Sequence, residues 1–223
     1  MRSLGRIDEA VRLHQEAYAR LDELFGDRNP ETVSCRLSLA LSRLLAGEGQ
    51  RAVVELLEIR AFYEQQLGAR HPYTLVCAVD LAIAERTCGR FVQAREWISP
   101  AVHHLTEALG PEHPYTLSAQ TNLAICETDL PESGGAGLTA ARERLLGIAD
   151  TTRRVLGPDH PNTLRFEANL TLVEKELGDG TAEGRLAALR ERMVNRLGGD
   201  RHPIVLGLER RQYLYRIIDP HQF

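Results

Sequence analysis

Apolar side chains in the first part of the chain recur at intervals of three and four residues, the spacing of one buried face of an α-helix. Between positions 5 and 24 they include Ile7, Val11 and Leu21. The same spacing predicts further helices at 30–46, 50–66, 72–87, 91–108, 161–177 and 182–196, another pair from Pro114 onward, and a last helix at 203–218. The pattern therefore predicts an all-α protein with about ten helices.

A nine-residue phrase separates these helices and recurs roughly every forty residues, within the range of helical repeat arrays. Its copies are LGARHPYTL at 67–75, LGPEHPYTL at 109–117 and LGPDHPNTL at 156–164, with a blurred FGDRNPETV at 25–33 and a stretched LGGDRHP at 197–203. The glycine can end one helix in the left-handed conformation, and the proline suits the first position of the next. The His or Asn before the proline is then the N-cap. Short connectors of this kind predict antiparallel helix pairs.

The phrase predicts a single solenoid spanning 1–223. It has an unpaired helix at 5–24, repeats at 25–66, 67–108, 109–155 and 156–196, a terminal helix at 197–218, and a tail at 219–223. The helix at 5–24 lacks a hairpin partner, which suggests that the chain was cut from a larger protein or that this helix packs on something else. We expect its apolar face to be partly exposed, giving a homodimer through this helix or a frayed end. Pro131 and the glycines after it predict a mobile turn at 131–138.

Composition narrows the classes of function. The net charge of −4 and a pI near 6.1 argue against a nucleic-acid partner. There is no apolar run long enough to span a membrane and no visible signal peptide, so we expect a cytoplasmic protein. The four cysteines form no C-x-x-C pair, which favours small buried apolar groups in a reducing compartment. Lys175 is the single lysine, a bias typical of a GC-rich, for example actinobacterial, genome.

Candidate catalytic and metal-binding residues have a structural explanation. Four histidines recur with the phrase: His71, His113, His160 and His202. Their repeat spacing favours a role at helix starts over a shared metal site. His103 and His104 are adjacent on a helix and are expected to point in different directions. No H-E-x-x-H or G-x-S-x-G motif occurs. We therefore predict no enzyme activity, no cofactor and no metal.

A second pattern lies inside the helix pairs. The first helix of each pair carries a Leu-Ala or Leu-Thr step at 39–40, 81–82, 123–124 and 170–171, and the second carries Ala10, Ala52, Ala94, Ala141 or Ala182. With the L-G-x-x-H-P phrase, these positions resemble the tetratricopeptide repeat (TPR) of the kinesin-light-chain type, from Gly5 to about Ile218. The last helix departs from the pattern, because Gln212-Tyr213 stands where Leu-Ala is expected.

The resemblance implies a right-handed superhelical solenoid that binds a protein or peptide in its concave groove. Such repeats are common in actinobacterial proteins, often behind a STAND or NB-ARC module. Two alternatives therefore stay open. The chain could be a sensor or oligomerisation segment of a larger signalling ATPase, or an accessory protein of a ribosomally made peptide system.

The resemblance also implies where a ligand would lie, since the residue before the Leu-Ala step points into the groove of such arrays. Here it is Ser38, Asp80, Asn122, Asn169 and, in the last helix, Arg211. An asparagine there is similar to those that hold a peptide backbone in kinesin-light-chain repeats, because an amide both donates and accepts hydrogen bonds. The alternative is that the two asparagines merely bridge adjacent helices.

Basic residues near the predicted groove suggest an acidic ligand or a C-terminal carboxylate. Four of them, Arg86, Arg165, Lys175 and Arg211, complete a candidate ligand-binding set with Asp80, Asn122 and Asn169. The tail that carries Asp219 and ends at Phe223 is itself a candidate ligand for the groove of a neighbouring copy.

Overall fold

The computed structural model of the protein describes residues 6–130 and 134–218, and these residues contain ten α-helices and no β-strand. The helices are α1 Ile7–Phe25, α2 Pro30–Leu45, α3 Gly49–Leu67, α4 Pro72–Thr87, α5 Phe91–Leu109, α6 Pro114–Thr128, α7 Gly134–Leu156, α8 Pro161–Glu176, α9 Ala182–Leu197 and α10 Pro203–Glu209. The predicted all-α repeat solenoid with about ten helices is confirmed.

The chain divides into two compact units. The first comprises the described residues up to Ala119 together with Ile217 and Ile218, and the second is Gln120–Arg216. In the first unit each of α1 to α4 packs against the next helix along the chain. In the second, α7 packs on α8, α8 on α9 and α9 on α10. Packing between sequence neighbours is the pattern of a repeat protein, in which no single core holds the whole chain.

Burial follows the order of helices within each pair. The first helix of a pair is buried almost throughout, as in α4, where every residue from Thr74 to Glu85 is buried. The second helix buries one face, which in α5 comprises Ala94, Ile98, Ala101, Val102 and Leu105. The five alanines of the second-helix pattern are all buried, at most 1% exposed. A methyl group there lets neighbouring helices approach closely.

The repeated phrase ends one helix and caps the next. Gly68, for example, takes a φ of +93°, in the left-handed region that favours glycine. The Nδ1 atoms of the four phrase histidines accept the backbone N–H two residues later, His71 from Tyr73 at 3.2 Å, His113 from Tyr115 at 3.1 Å, His160 from Asn162 at 3.2 Å and His202 from Ile204 at 3.2 Å. Asn29 Oδ1 does the same for Glu31 at 2.9 Å. The imidazole ring therefore serves as a side-chain N-cap.

Carboxylates on α8 join it to both neighbouring helices. Each carboxylate forms a salt bridge with one arginine of α7 and one of α9. Glu167 pairs with Arg153 at 2.6 Å and with Arg192 at 3.2 Å. Glu174 pairs with Arg142 at 3.2 Å and with Arg185 at 2.6 Å. Both carboxylate side chains are 9% exposed. A nearly buried carboxylate is costly unless its charge is paired, and these arginines supply the pairing.

The predicted terminal helix at 197–218 is wrong. The helix that forms, α10, ends at Glu209, and residues 212–218 are not helical. Arg211 takes a left-handed φ of +57°, while Gln212 N–H bonds to Gly207 O and Arg211 N–H to Leu208 O, both at 3.0 Å. These two bonds form a Schellman motif, which terminates a helix. A non-glycine residue in this conformation costs roughly 1–2 kcal/mol, so contacts beyond the turn must offset it.

The predicted mobile turn at 131–138 is wrong over its second part. Helix α7 begins at Gly134 and includes Gly135 and Gly137. Its apolar face, which includes the buried residues Ala141, Leu145 and Ile148, outweighs the low helix propensity of glycine. Residues 131–133 lie outside the described part of the chain.

None of the described helices is long and apolar enough to cross a lipid bilayer.

The histidine caps predict a pH-dependent stability. Burial lowers the pKa of His113, and burial followed by the charges of Arg216 and Arg196 lowers the pKa of His160. Both folded-state values lie below the unfolded value of about 6.5. The contribution of each ring is therefore complete above about pH 6.5 and is lost as the pH falls through the folded-state pKa.

We expect the double variant His113→Asn, His160→Asn to keep both caps without titrating between about pH 7.5 and 5.5. Each cap is worth about 1 kcal/mol, or about 2–4 °C in Tm for a chain of this size. In thermal melts the wild type should lose more stability than the variant on acidification. If Tm falls equally with pH in the wild type and the variant, protonation of His113 and His160 is not coupled to unfolding.

Candidate functional site

A non-helical segment follows α10, and we call residues 212–218 the C-terminal segment. Two asparagines on first helices of the second unit hold its backbone. Asn169 Oδ1 accepts the N–H of Leu214 at 2.7 Å, and Asn169 Nδ2 donates to the carbonyl of Leu214 at 3.1 Å. Asn122 makes the same pair of bonds with Arg216, at 3.0 and 2.9 Å. Each amide therefore bonds to both the N–H and the C=O of one residue, and the two residues are separated by a single position. This spacing is the two-residue period of an extended strand.

An amide side chain suits this position because it carries a donor and an acceptor side by side. Asn169 is 0% exposed and Asn122 is 1% exposed. A buried amide side chain without hydrogen-bond partners would lower stability by roughly 1–3 kcal/mol. Unpaired backbone N–H and C=O groups of a buried strand would carry a similar cost. Each asparagine and its strand residue therefore satisfy one another.

The side chain of Leu214 belongs to the hydrophobic core of the second unit. Its cluster includes Leu164 and Leu172 of α8, Leu189 of α9 and Leu208 of α10. Gly207 leaves room for it, since a Cβ there would lie 2.9 Å from Leu214 Cδ2. This burial is one contact that can offset the left-handed turn at Arg211.

Tyr213 adds a polar contact at the start of the segment. Its hydroxyl donates to Glu176 Oε1 at 2.7 Å. Burial, with the hydrogen bond to Glu176, raises the pKa of Tyr213 above its usual value. The phenol therefore stays protonated at physiological pH and keeps its role as a donor.

In the first unit, Asp80 of α4 accepts the N–H of Ile218 at 2.9 Å. Both residues are buried, Asp80 at 0% and Ile218 at 1% exposure. A carboxyl group, unlike an amide, has no N–H to donate. Asp80 therefore offers the segment an acceptor oxygen, where each asparagine offers both an acceptor and a donor.

Arg165 of α8 interacts electrostatically with Arg216 of the C-terminal segment. Burial, together with the charge of Arg216, lowers the pKa of Arg165 to about 10. Arg165 lies one helical turn before Asn169 on α8, so the two side chains share a face. Its Nε is buried and has no hydrogen-bond partner among the described residues. The charges of Arg216 and Arg196 also reach His160, as described above.

The other predicted basic residues lie elsewhere. Lys175 and Arg211 both pair with Glu183, at the start of α9. Arg211 is exposed and turns the chain out of α10, so it does not occupy the position in a last helix that the repeat pattern implied. Arg86 is half-buried near the end of α4 in the first unit. Their part in ligand binding stays a prediction.

The adjacent histidines on α5 do not point apart as expected. Glu107 joins them, with Oε1 at 3.3 Å from His103 Nε2 and Oε2 at 3.0 Å from His104 Nδ1. One ligand atom from each of the three residues lies within 4.8 Å of the others. The interactions with His104 and then His103 lower the pKa of Glu107. Since the three side chains lie on one helix and two are exposed, a surface hydrogen-bonded cluster explains the arrangement.

Sequence reasoning missed the C-terminal segment, in particular Leu214 and Arg216. A signal was present, since Gln212-Tyr213 replaces the Leu-Ala step that helix packing requires. The residues that follow, Leu-Tyr-Arg-Ile-Ile, are rich in the aromatic and β-branched types that favour strands.

Comparisons with known proteins address the fold. A tetratricopeptide repeat family model matches residues 1–31, and the helix pairs have the same architecture. The chain has the fold of a TPR-like repeat solenoid. No curated protein matches it significantly.

Solved structures share this solenoid fold at low identity. One crystal structure of the putative kinesin light chain nearly identical TPR-like repeats of Podosopora anserina is 24% identical with a TM-score of 0.63, and the match covers 86% of this chain and 88% of that chain. A second structure of those repeats is 22% identical with a TM-score of 0.59, covering 93% and 90%. BtubC (BKLC) from P. vanneervenii is 20% identical with a TM-score of 0.59, covering 87% and 72%. Identities this low support a common fold and carry no information about a common ligand.

The paired amide bonds predict how firmly the TPR solenoid holds its C-terminal segment. Replacing Asn169 by Ala removes two hydrogen bonds, each worth about 1 kcal/mol net. Hydrogen exchange at the amide of Leu214 should therefore accelerate by roughly ten- to a hundredfold. Asn195→Ala is the matched control, because Asn195 is exposed on α9 and its side chain makes no hydrogen bond within the described residues. Equal exchange in the two variants would show that Leu214 burial alone fixes the segment.

Proposed function

We propose that this TPR solenoid is a protein-interaction scaffold that binds an extended peptide segment through Asn122 and Asn169. TPR proteins are generally non-catalytic scaffolds for protein partners. The peptide ligand and the two asparagines as its binding residues go beyond that general role.

One observation carries the proposal: both asparagines already hold an extended backbone by its N–H and C=O groups. Such contacts are made to the main chain, so they accept any sequence that can lie extended. Side-chain pockets then supply specificity, as in other cases of peptide recognition along a strand. The buried position of Leu214 supplies one apolar pocket in the second unit.

The alternative role of the two asparagines, as bridges between adjacent helices, has less support. Their amide groups make their paired bonds with the segment, 45 and 94 residues away in sequence. A larger signalling ATPase or a ribosomal-peptide system as the parent context has no observation here in its favour.

We expect replacement of Asn122 and Asn169 together by Ala to weaken peptide binding at least about tenfold, because four hydrogen bonds to the ligand backbone are lost. The ligands are heptapeptides selected on the full chain from a displayed random library, with affinities measured by fluorescence anisotropy. Helical circular dichroism of the double variant should stay unchanged, and Asn195→Ala should bind as the wild type does. Equal affinities for wild type and double variant would place the peptide site elsewhere.

A further inference from the structure

Three side chains near the end of α5 form a compact set of potential metal ligands, which are His103, His104 and Glu107. The sequence predicted no metal site, since adjacent helical residues ordinarily point in different directions. Glu107, however, stands four residues after His103 and three after His104, so its carboxylate lies on the same face as each ring. One carboxylate oxygen meets His103 Nε2 at 3.3 Å and the other meets His104 Nδ1 at 3.0 Å. The shared carboxylate therefore brings the two rings together.

The donor atoms lie close to the spacing that one metal ion requires. One ligand atom from each of the three residues lies within 4.8 Å of the other two. Bonds of about 2.0–2.2 Å to zinc place neighbouring donors of a tetrahedral site about 3.4 Å apart. Both nitrogen–oxygen distances are near that spacing, so the two rings have to approach by no more than about 1.5 Å. The side chains of His103 and Glu107 are 68% and 54% exposed, so they can rotate without disturbing the core.

The electrostatics at the end of α5 favour a cation. The C-terminus of a helix carries a partial negative charge, and the last turn of α5 contains no basic residue. Glu107 lies in that turn, and its hydrogen bond with His104, followed by the charge of His103, lowers its pKa. Its carboxylate is therefore ionised at neutral pH. Arg70, in the connector between α3 and α4, acts electrostatically on the same carboxylate and would oppose a metal ion.

We propose that His103, His104 and Glu107 bind one divalent transition-metal ion, of the class that includes Zn²⁺ and Cu²⁺. Two imidazoles and a carboxylate suit these ions, whereas Mg²⁺ and Ca²⁺ prefer sites made of oxygen atoms. Each ring binds through the nitrogen that meets the carboxylate and carries its proton on the other nitrogen. Three protein ligands leave a coordination position for water at the surface of α5. The site uses neither Asn122 nor Asn169, so it stands apart from the proposed peptide binding.

The first test measures Zn²⁺ binding to the full chain, purified without a histidine tag. Titration calorimetry should show one equivalent that binds more tightly than the remaining exposed side chains. His103→Ala and His104→Ala should each weaken this equivalent at least about tenfold, while Mg²⁺ should show no such equivalent. His202→Asn is the matched control, because it removes an imidazole but keeps a residue that can cap α10. It should bind Zn²⁺ as the wild type does.

Circular dichroism separates loss of a ligand from loss of the fold. His103 is exposed on α5, and alanine favours helices, so the helical signal of His103→Ala should equal that of the wild type.

A second test identifies the ligands with Cu²⁺, which binds such sites more tightly than Zn²⁺. The electron paramagnetic resonance spectrum of the wild type with one equivalent of Cu²⁺ should show coupling to two imidazole nitrogens. His103→Ala and His104→Ala should each show coupling to one. If both variants give the wild-type spectrum and the wild-type affinity for Zn²⁺, the ion is held elsewhere and the proposed site is wrong.

A third test uses the nearby cation and leaves all three ligands intact. Arg70→Gln should tighten Zn²⁺ binding roughly two- to fivefold, as expected for the loss of one exposed like charge. Arg95→Gln is the matched control, because Arg95 is also exposed but lies about 12 Å along α5 from His103, beyond the Debye length of about 10 Å at 0.1 M salt. Unchanged affinity in Arg70→Gln would place the ion away from Glu107 and overturn the proposal.

Discussion

A backbone amide taken out of water must still find a hydrogen-bond partner, and this requirement decides both the connections between helices and the path of the C-terminal segment. A helix start leaves N–H groups without internal acceptors. In this chain the ring nitrogen of a histidine such as His71 accepts one of them. A strand outside any sheet has the same need at every residue, and Asn122 and Asn169 meet it at alternate positions.

The histidine caps and the asparagine contacts differ in how far apart in sequence their partners lie. A cap made by a histidine lies two residues from its donor, so it forms together with the helix and holds one conformation. The amides of α6 and α8 bind a strand that is distant in sequence, and another strand with the same backbone could take its place. The same hydrogen-bond chemistry therefore serves both a local helix cap and a contact between residues that are far apart in sequence.

Arginines stabilise the packing of neighbouring helices by pairing with carboxylates. Arg153 and Arg192 converge on Glu167, so that a nearly buried carboxylate joins three helices. Arg165 lies on α8 as well, one helical turn from Asn169, and its buried Nε, like that of Arg185, has no hydrogen-bond partner among the described residues.

The sequence by itself determined the helices and their order, because glycine, proline and the N-cap act within a few residues of one another. It also singled out Asn122 and Asn169, since each stands one place before a repeated packing step. It could not place residues 212–218, because the helix propensity of a short stretch is a weak local preference that tertiary contacts override. What moved Leu214 and Arg216 out of a helix is a hydrophobic core and two amides that lie far away along the chain. Those contacts exist only once α6, α8 and α9 have packed, which is why the tertiary structure alone decided them.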